Sequence, residues 1–359
     1  MHSASAERTD TAIDMPDDPA LTDPALTDAA LTDAAVTFAK VALPVGISAR
    51  VRVPASSANL GPGFDCLGIA LGIYDELIVE ITSGGIEVEV TGEGADDVPR
   101  TADHLVARAI TRGLDAAGFV APGLKLRCVN AIPHSRGLGS SAAAAVSGLA
   151  AASGLIVEAG VGDAFDDETL VQLSSEFEGH PDNAAASILG SAVVTWTESG
   201  ADGGPDPAGL PDGDRYLARR LVVHPDITAT VFVPDTESST SFTRGLLPDA
   251  VPRRDAVFNV SRAALAVVAL TADPGALVAA TEDRLHQNYR AQAMAPTAEL
   301  VAALRKRGLA ATVSGAGPTV LVLGVGPVPA DARDIATGLG FVASTVAIAG
   351  GVEVTHGRS

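Results

Sequence analysis

Four short stretches of this sequence hold most of the side chains suited to polar chemistry. In "PHSRGLGSSAA", residues 133–143, Gly137 and Gly139 stand ahead of two serines and an alanine run. The alanine run predicts a helix that either Ser140 or Ser141 caps, and the glycines keep bulk away from its start. The first-turn N–H groups then point outward, with the positive end of the helix dipole behind them. A helix start of that kind holds anions, and a triphosphate fits it. No Gly-Lys-Ser/Thr follows, so it is not a Walker loop. "PASSANLGPGFDCLGIAL" sets Asn59 and Asp65 on either side of a Gly-Pro-Gly turn, although Asn and Asp also build ordinary turns. "SEFEGHPDNAAA" gathers Glu176, His180, Asp182 and Asn183 at a helix end. Glu176 and His180 have the helical spacing of a metal pair, but no second histidine at that spacing supplies a further transition-metal ligand. "VSGAGPTVLVL" is a tight glycine turn feeding a buried strand.

These stretches need elements to position them. "ARVRVPA" alternates like a strand before Gly61, Pro62 and Gly63 break the chain, and "ELIVEIT" with "IEVEVT" reads as an antiparallel hairpin turned at Gly84-Gly85. A helix is expected over residues 102–117, then a strand "LKLRCVN" leading into the glycine-serine loop and its helix. A further helix covers about 166–178, and "HPDNAAASILGSAVVTW" leads into another strand. The Gly-, Pro- and Asp-rich segment over 197–216 marks a loop or a domain boundary. Beyond it come strands "RRLVVHP", "TATVFVP", "AATVS" and "TVLVLGV", and helices at about 253–270, 296–307 and 330–339. Strands and helices in this irregular alternation imply an α+β fold in two layers rather than a doubly wound parallel sheet. Residues 1–45 are different material: "ALTDP" and "ALTDA" recur every five residues, a period that suits neither helix nor strand, and read as a disordered acidic tail.

Composition narrows the function classes. The 359 residues suffice for two domains with real cores, and the formal charge of −20 argues against a nucleic-acid partner. A small anion remains open, held by backbone N–H groups, one or two cations and a metal ion. Cys66 and Cys128 are the only cysteines and lack metal spacing, which makes a reducing cytoplasm the expected location. The acidic N-terminus does not resemble a secretory signal, and no run of eighteen apolar residues marks a membrane span.

The ordered trio "VPASSANLGPGFDCLG", "PHSRGLGSSAA" and "VSGAGPTV" resembles the GHMP small-molecule kinases. With "EGHPDN", "TSFTR" and "HQNYR" added, the resemblance narrows to the homoserine kinases and covers the chain from about Ile47 onward. It implies a two-domain architecture: an N-terminal α+β domain with the phosphate loop over 46–205, and a C-terminal ferredoxin-like α/β sandwich over 206–359. The implied reaction is transfer of the γ-phosphoryl group of ATP to the hydroxyl of L-homoserine, on the route to threonine, with Mg²⁺ as cofactor. Homodimers are common among such kinases.

By the same resemblance ATP lies on Pro133, His134, Ser135, Arg136, Gly137, Leu138, Gly139, Ser140, Ser141, Ala142 and Ala143. Ser141 and Glu176 match the metal ligands, with Ser140 and Glu178 as neighbouring alternatives. Arg136 is unusual in such a loop and either adds a phosphate contact or points to solvent. Homoserine is a zwitterion: Arg244 and Arg290 match the arginines that bind its carboxylate, a suitable task for a guanidinium fork. Asp65 matches the aspartate that meets its ammonium, with Asn59, His180 and Asn183 close by. Asn183 would orient the hydroxyl, while Asp182 is a base only if it faces the substrate. Two other readings compete: a relative with an acceptor such as mevalonate or a sugar, and a ligand sensor that has kept the fold.

Overall fold

The computed structural model describes residues 40–199, 213–238 and 240–358. The acidic repeat and the middle of the Gly/Pro/Asp-rich loop lie outside them. The order begins with β1 (Val41–Ala42), β2 (Ile47–Asn59), β3 (Gly63–Thr82), β4 (Gly85–Gly92), α1 (Leu105–Ala116), β5 (Phe119–Val120) and β6 (Gly123–Asn130). It continues through α2 (Ser140–Ala159), α3 (Asp167–Ser175), α4 (Asp182–Leu189), β7 (Ala192–Glu198) and β8 (Arg215–Leu221). Then come β9 (Ile227–Pro234), α5 (Thr240–Arg244), α6 (Arg253–Thr271), α7 (Leu277–Ala280), α8 (Gln287–Arg290) and α9 (Ala295–Arg305). The chain closes with β10 (Ala310–Val313), β11 (Val320–Val325), α10 (Ala330–Gly338), β12 (Phe341–Val346) and β13 (Glu353–Arg358).

The larger sheet runs β13-β2-β3-β6-β4, with β7 on the far half of the long β3 and β8 beyond it. β2 alternates buried and less buried side chains over its first half; from Val53 to Asn59 every residue is buried, because both faces are covered as the strand nears the site. Its register with β3 shifts at Pro54/Ala55 and again at Ala58/Asn59. Such irregularities bend a strand and re-aim its end.

The expected hairpin at Gly84-Gly85 does not form. β6 inserts between the two strands, antiparallel to β3 (Thr82↔Gly123) and parallel to β4 (Gly85↔Gly123). The chain from β4 returns through α1, the kind of crossover that a parallel pair requires. Gly123 fits the fork because it has no side chain: a Cβ there would overlap Thr82 Oγ1.

The smaller sheet, β10-β11-β9-β12, is antiparallel throughout, with α6 to α9 between its first strand and its second and α10 before its last. That is the ferredoxin-like arrangement. α9 and α10 pack Leu300, Leu304, Ala332 and Ala336 on one face, against Phe232, Val320 and Val322. The other face contributes Ala229, Val231, Leu321 and Leu323 to a core that also contains Val53, Leu71, Leu149 and Ile188 of the larger layer. β8 and β13, from beyond residue 205, complete the larger sheet, so both halves of the chain contribute strands to it. The expected tail boundary at 45/46 is not kept, since Val41–Ala42 pairs in parallel with Phe119–Val120 and Leu43 is buried.

α2 has the length and apolarity to cross a bilayer, but 78% of its apolar window is buried in the protein, as suits a core helix. It lies on α1 at close range, because an added Cβ on Gly148 would come within 2.6 Å of Ala109 Cβ and of the Val106 carbonyl oxygen. Gly148→Val must therefore push the helices apart, at a cost of about 3 kcal/mol. The expected fall in the thermal unfolding midpoint is about 6 °C or more, and an unchanged midpoint would refute this packing.

Candidate active site

The phosphate loop leaves β6 and enters α2 through Gly139, whose φ of 69° is left-handed. Gly139 itself is the N-cap, and neither serine caps the helix with its side chain, contrary to expectation. The loop is held from behind by residues far away in sequence. Ser314 Oγ bonds to the Gly137 carbonyl at 2.6 Å and to Ser57 Oγ at 2.8 Å, while the Ser56 N–H donates to the Leu138 carbonyl. Gly137 has no room for a side chain, because a Cβ there would overlap the Ser314 carbonyl oxygen. Arg136 turns away from the helix start: it donates to the carbonyls of His134, Pro234 and Asp235, and pairs with Glu237 at 3.6 Å. Its side chain fastens the loop to the end of β9.

In front of the loop lies a cavity of about 430 Å³. It brings together Asn59, Asp65, Ser135, Gly137, Gly139, Ser140, Ser141, His180, Asn183, Arg244 and Arg290, all expected in the site, includes the alternatives Glu178 and Asp182, and adds Phe64 and Ser238. Asn59 and Asp65 both have left-handed backbones, with φ of 72° and 55°. Asn59 Oδ1 accepts from the Asp65 N–H at 3.0 Å, and its Nδ2 donates to the Gly315 carbonyl at 2.9 Å. That side chain ties the turn after β2 to the glycine turn before β11, and the turn presents Asp65.

Arg244 meets Asp65 through both guanidinium nitrogens, at 2.8 and 2.9 Å, and this bidentate bond raises the arginine's pKa. Arg290 is buried, donating through Nε to the Thr243 carbonyl and through Nη1 to Gly315 O and His286 Nδ1, each at 3.3 Å. Burial lowers its pKa, and the neighbouring Arg244 lowers it further. Phe64 lies 5.4 Å from the Arg244 guanidinium and 5.5 Å from that of Arg290, a cation–π distance for both. His286, fully buried, donates through Nε2 to the Gly61 carbonyl at 2.7 Å and packs its ring tilted against Phe64. The sequence reading missed Phe64 and singled out no role for His286.

On the opposite wall, the His180 ring donates from Nδ1 to the buried Asp182 carboxylate at 2.9 Å, and this bond raises the histidine's pKa. Asp182 also accepts from the Asn183 N–H at 2.8 Å. Ser56 Oγ donates to Asn183 Oδ1 at 3.0 Å, which fixes the amide with Nδ2 as its remaining donor.

The two acidic residues next to this wall part company. Glu176 caps α3 and pairs with Arg112 at 3.0 Å, outside the cavity. Glu178 lines the cavity; burial raises its pKa, against the opposing effects of the His180 charge and a hydrogen bond with Ser141. Glu178 and Ser141 thus share the lining of the cavity, and Glu176 is not part of it. Among the described residues, no cluster of three or more His, Cys, Asp or Glu has the form of an all-protein metal site. Cys66, near Asp65 and Asp182, is inert as a nucleophile, because burial and then those two charges push its thiol up to about 11.

A second cavity, of about 310 Å³, shares Ser135, Ser140 and Ser141 with the first and runs back between β3, β6 and the start of α1. Leu77, Val98, Val106 and Cys128 give it apolar walls. An anion at the α2 N-terminus would sit where the two cavities meet.

The comparisons with known proteins agree with this geometry. Residues 104–191 match the GHMP kinases N terminal domain, and residues 266–342 the GHMP kinases C terminal domain. A homoserine kinase of Rhodococcus erythropolis is 58% identical over 317 residues, covering 88% of this chain and 98% of that protein. One of Mycolicibacterium smegmatis is 56% identical over 316 residues, covering 88% and 97%. The crystal structure of homoserine kinase from Cytophaga hutchinsonii superposes with a TM-score of 0.70 at 23% identity, over 86% of this chain and 97% of that one, a likeness of fold. The two cavities, the loop between them and the sequence identity lead to one conclusion: the chain belongs to the homoserine kinases of the GHMP kinase family.

Proposed function

We propose that the chain transfers the γ-phosphoryl group of ATP to the hydroxyl of L-homoserine, giving O-phospho-L-homoserine and ADP. The observation that carries this reading is the placement of the α2 N-terminus between two unlike cavities. One is largely apolar and suits a nucleoside; the other is lined by Asp65, Arg244 and Arg290, the complement of an amino acid's two charges. The phosphates would lie on the loop N–H groups between Ser135 and Ser141.

In the acceptor cavity Asp65 meets the ammonium, and Arg244 and Arg290 take the carboxylate. Asn183, held by Ser56, donates from Nδ2 to the hydroxyl oxygen and aligns it with the γ-phosphorus. Positioning and charge stabilisation of this kind supply most of the catalysis in phosphoryl transfer. Asp182 is committed to His180 and to the Asn183 backbone, so it is better suited to bracing that wall than to accepting the hydroxyl proton.

Ser141 and Glu178 fit Mg²⁺: a hydroxyl and a carboxylate are hard oxygen donors beside the phosphate site, and phosphates and water fill the remaining positions. When bound, the ion neutralises phosphate charge. Glu178→Gln is expected to raise the Mg²⁺ concentration for half-maximal rate by about tenfold or more, whereas Glu176→Gln should leave it within about twofold. The reverse ranking would return the metal to Glu176.

An ADP-release assay with Mg-ATP, comparing L-homoserine, L-serine and mevalonate, tests the reaction. Turnover confined to homoserine supports the proposal. Efficient turnover of mevalonate overturns it, because that acceptor has no ammonium group for Asp65 to meet. ATP binding without turnover on any acceptor would instead favour a sensor. A cytoplasmic location and a homodimer belong to this proposal and need separate measurement.

A further inference from the structure

His286 stands at the start of α8 with no exposed surface, and it is not among the residues that line the acceptor cavity. Its ring nevertheless bonds to two separate parts of that cavity's frame. Nε2 lies 2.7 Å from the Gly61 carbonyl, in the turn that presents Asp65, and Nδ1 lies 3.3 Å from Nη1 of Arg290.

These partners leave the ring one protonation state. A carbonyl oxygen only accepts, so Nε2 carries the proton; a guanidinium only donates, so Nδ1 keeps its lone pair. Asp283 Oδ2, 3.7 Å from Nε2, favours the proton on that side. A second proton, on Nδ1, would face the Arg290 N–H. Burial lowers the ring's pKa in spite of the Asp283 charge, and the Arg290 charge lowers it further, so the ring stays neutral.

The ring is itself braced. The Asp283 carboxylate accepts from the N–H groups of Leu285, His286 and Gln287 at 2.8, 3.1 and 2.8 Å, and from Asn259 Nδ2 at 2.9 Å. Asn259 Nδ2 also donates to the Pro62 carbonyl at 3.3 Å, and Gly61 packs so closely on Thr281 that a Cβ would overlap its carbonyl oxygen. Packing alone does not require this arrangement, because an apolar side chain fills such a space without burying polar groups.

We infer that His286 is a positioning residue for the acceptor: as a single neutral tautomer it fixes the turn bearing Asp65 relative to the Arg290 guanidinium, and so sets where the amino acid's two charges, and with them its hydroxyl, come to rest. This rests on the reading that Asp65 and Arg290 hold homoserine. A substrate held by both charges carries its hydroxyl at a set reach from them, and an error of about 1 Å in that frame costs up to about a hundredfold in rate. Loss of the ring's two bonds should therefore lower kcat, and not only raise the KM for homoserine.

The test is steady-state kinetics in both substrates for wild-type protein, His286→Leu and His286→Gln. His286→Leu should lower kcat about tenfold or more and raise the KM for homoserine, with the KM for ATP within about twofold. The glutamine amide offers one donor and one acceptor at roughly the separation of the two ring nitrogens, so His286→Gln should return kcat to within about threefold of wild type. Nitrogen NMR of labelled wild-type protein at about pH 7.5 should show, in the ring signals that His286→Gln lacks, Nε2 protonated and Nδ1 not. That measurement needs no folded leucine variant. If wild-type protein does not turn homoserine over, the phosphotransfer reading falls and this inference with it. If it does, but His286→Leu keeps its kcat, loses both substrates alike or is not rescued by glutamine, the role of His286 alone is overturned. A proton on Nδ1 would overturn it as well.

Discussion

Gly139→Ala is expected to lower kcat/KM by about a hundredfold or more while the fold survives. Two physical reasons combine. At φ 69° an L-residue sits in the sparsely populated left-handed region, and the added Cβ would overlap Ser56 Oγ and come within 3.1 Å of Asn183 Oδ1. Ser56 is the hydroxyl that fixes the Asn183 amide, so the methyl group displaces the phosphate loop and the hydroxyl-orienting residue together. Both the ATP and the homoserine steps should suffer, which distinguishes this variant from one that affects a single cavity. The measurement is steady-state kinetics in both substrates, with near- and far-ultraviolet circular dichroism as the check on folding. A variant within about threefold of wild type would mean that the loop adapts and that the observed geometry is not the reactive one.

The parts of this site that were legible in the sequence are those carried by local chemistry. Glycines at a helix start, Asn59 and Asp65 around a Gly-Pro-Gly turn, and Asn183 in the first turn of α4 each leave a mark within a few residues. The structure gathers them with Arg244 and Arg290 around one cavity. Long-range pairing leaves no such mark. Ser57 and Ser314, 257 residues apart, look like any two small polar residues, yet together they hold the loop from behind. The strand patterns of β3 and β4 were right, but alternation says which face is buried, not which strand is the neighbour, so the insertion of β6 was invisible. Glu176 and Glu178 differ for a related reason. Where α3 ends at Ser175 the backbone stops following helical periodicity, so the spacing from His180 no longer says which carboxylate faces the cavity.

Arg290→Ala is expected to raise the KM for homoserine by about a hundredfold and to leave the KM for ATP within about twofold. The asymmetry follows from position. Arg290 is 2% exposed, and its hydrogen bonds to Thr243, Gly315 and His286 set the guanidinium beside Phe64 in the acceptor cavity. Among the described residues it makes no ion pair, and Arg244 across the Phe64 ring adds like-charge repulsion. A buried cation with no ion pair of its own is costly, and a substrate carboxylate supplies one. Truncation also removes the guanidinium's hydrogen bonds to the Thr243 and Gly315 carbonyls, at about 1–3 kcal/mol of stability, so thermal unfolding should be followed in parallel. Arg290→Lys separates charge from shape: an ammonium keeps the sign but cannot span two carbonyls and a carboxylate as a planar fork does, so it should recover only a minor part of the affinity. Equal losses in homoserine and ATP would show that Arg290 supports the whole site rather than holding the substrate. Full recovery by lysine would show that the cavity needs only a positive charge, and the selection of homoserine would then rest on Asp65 and Arg244.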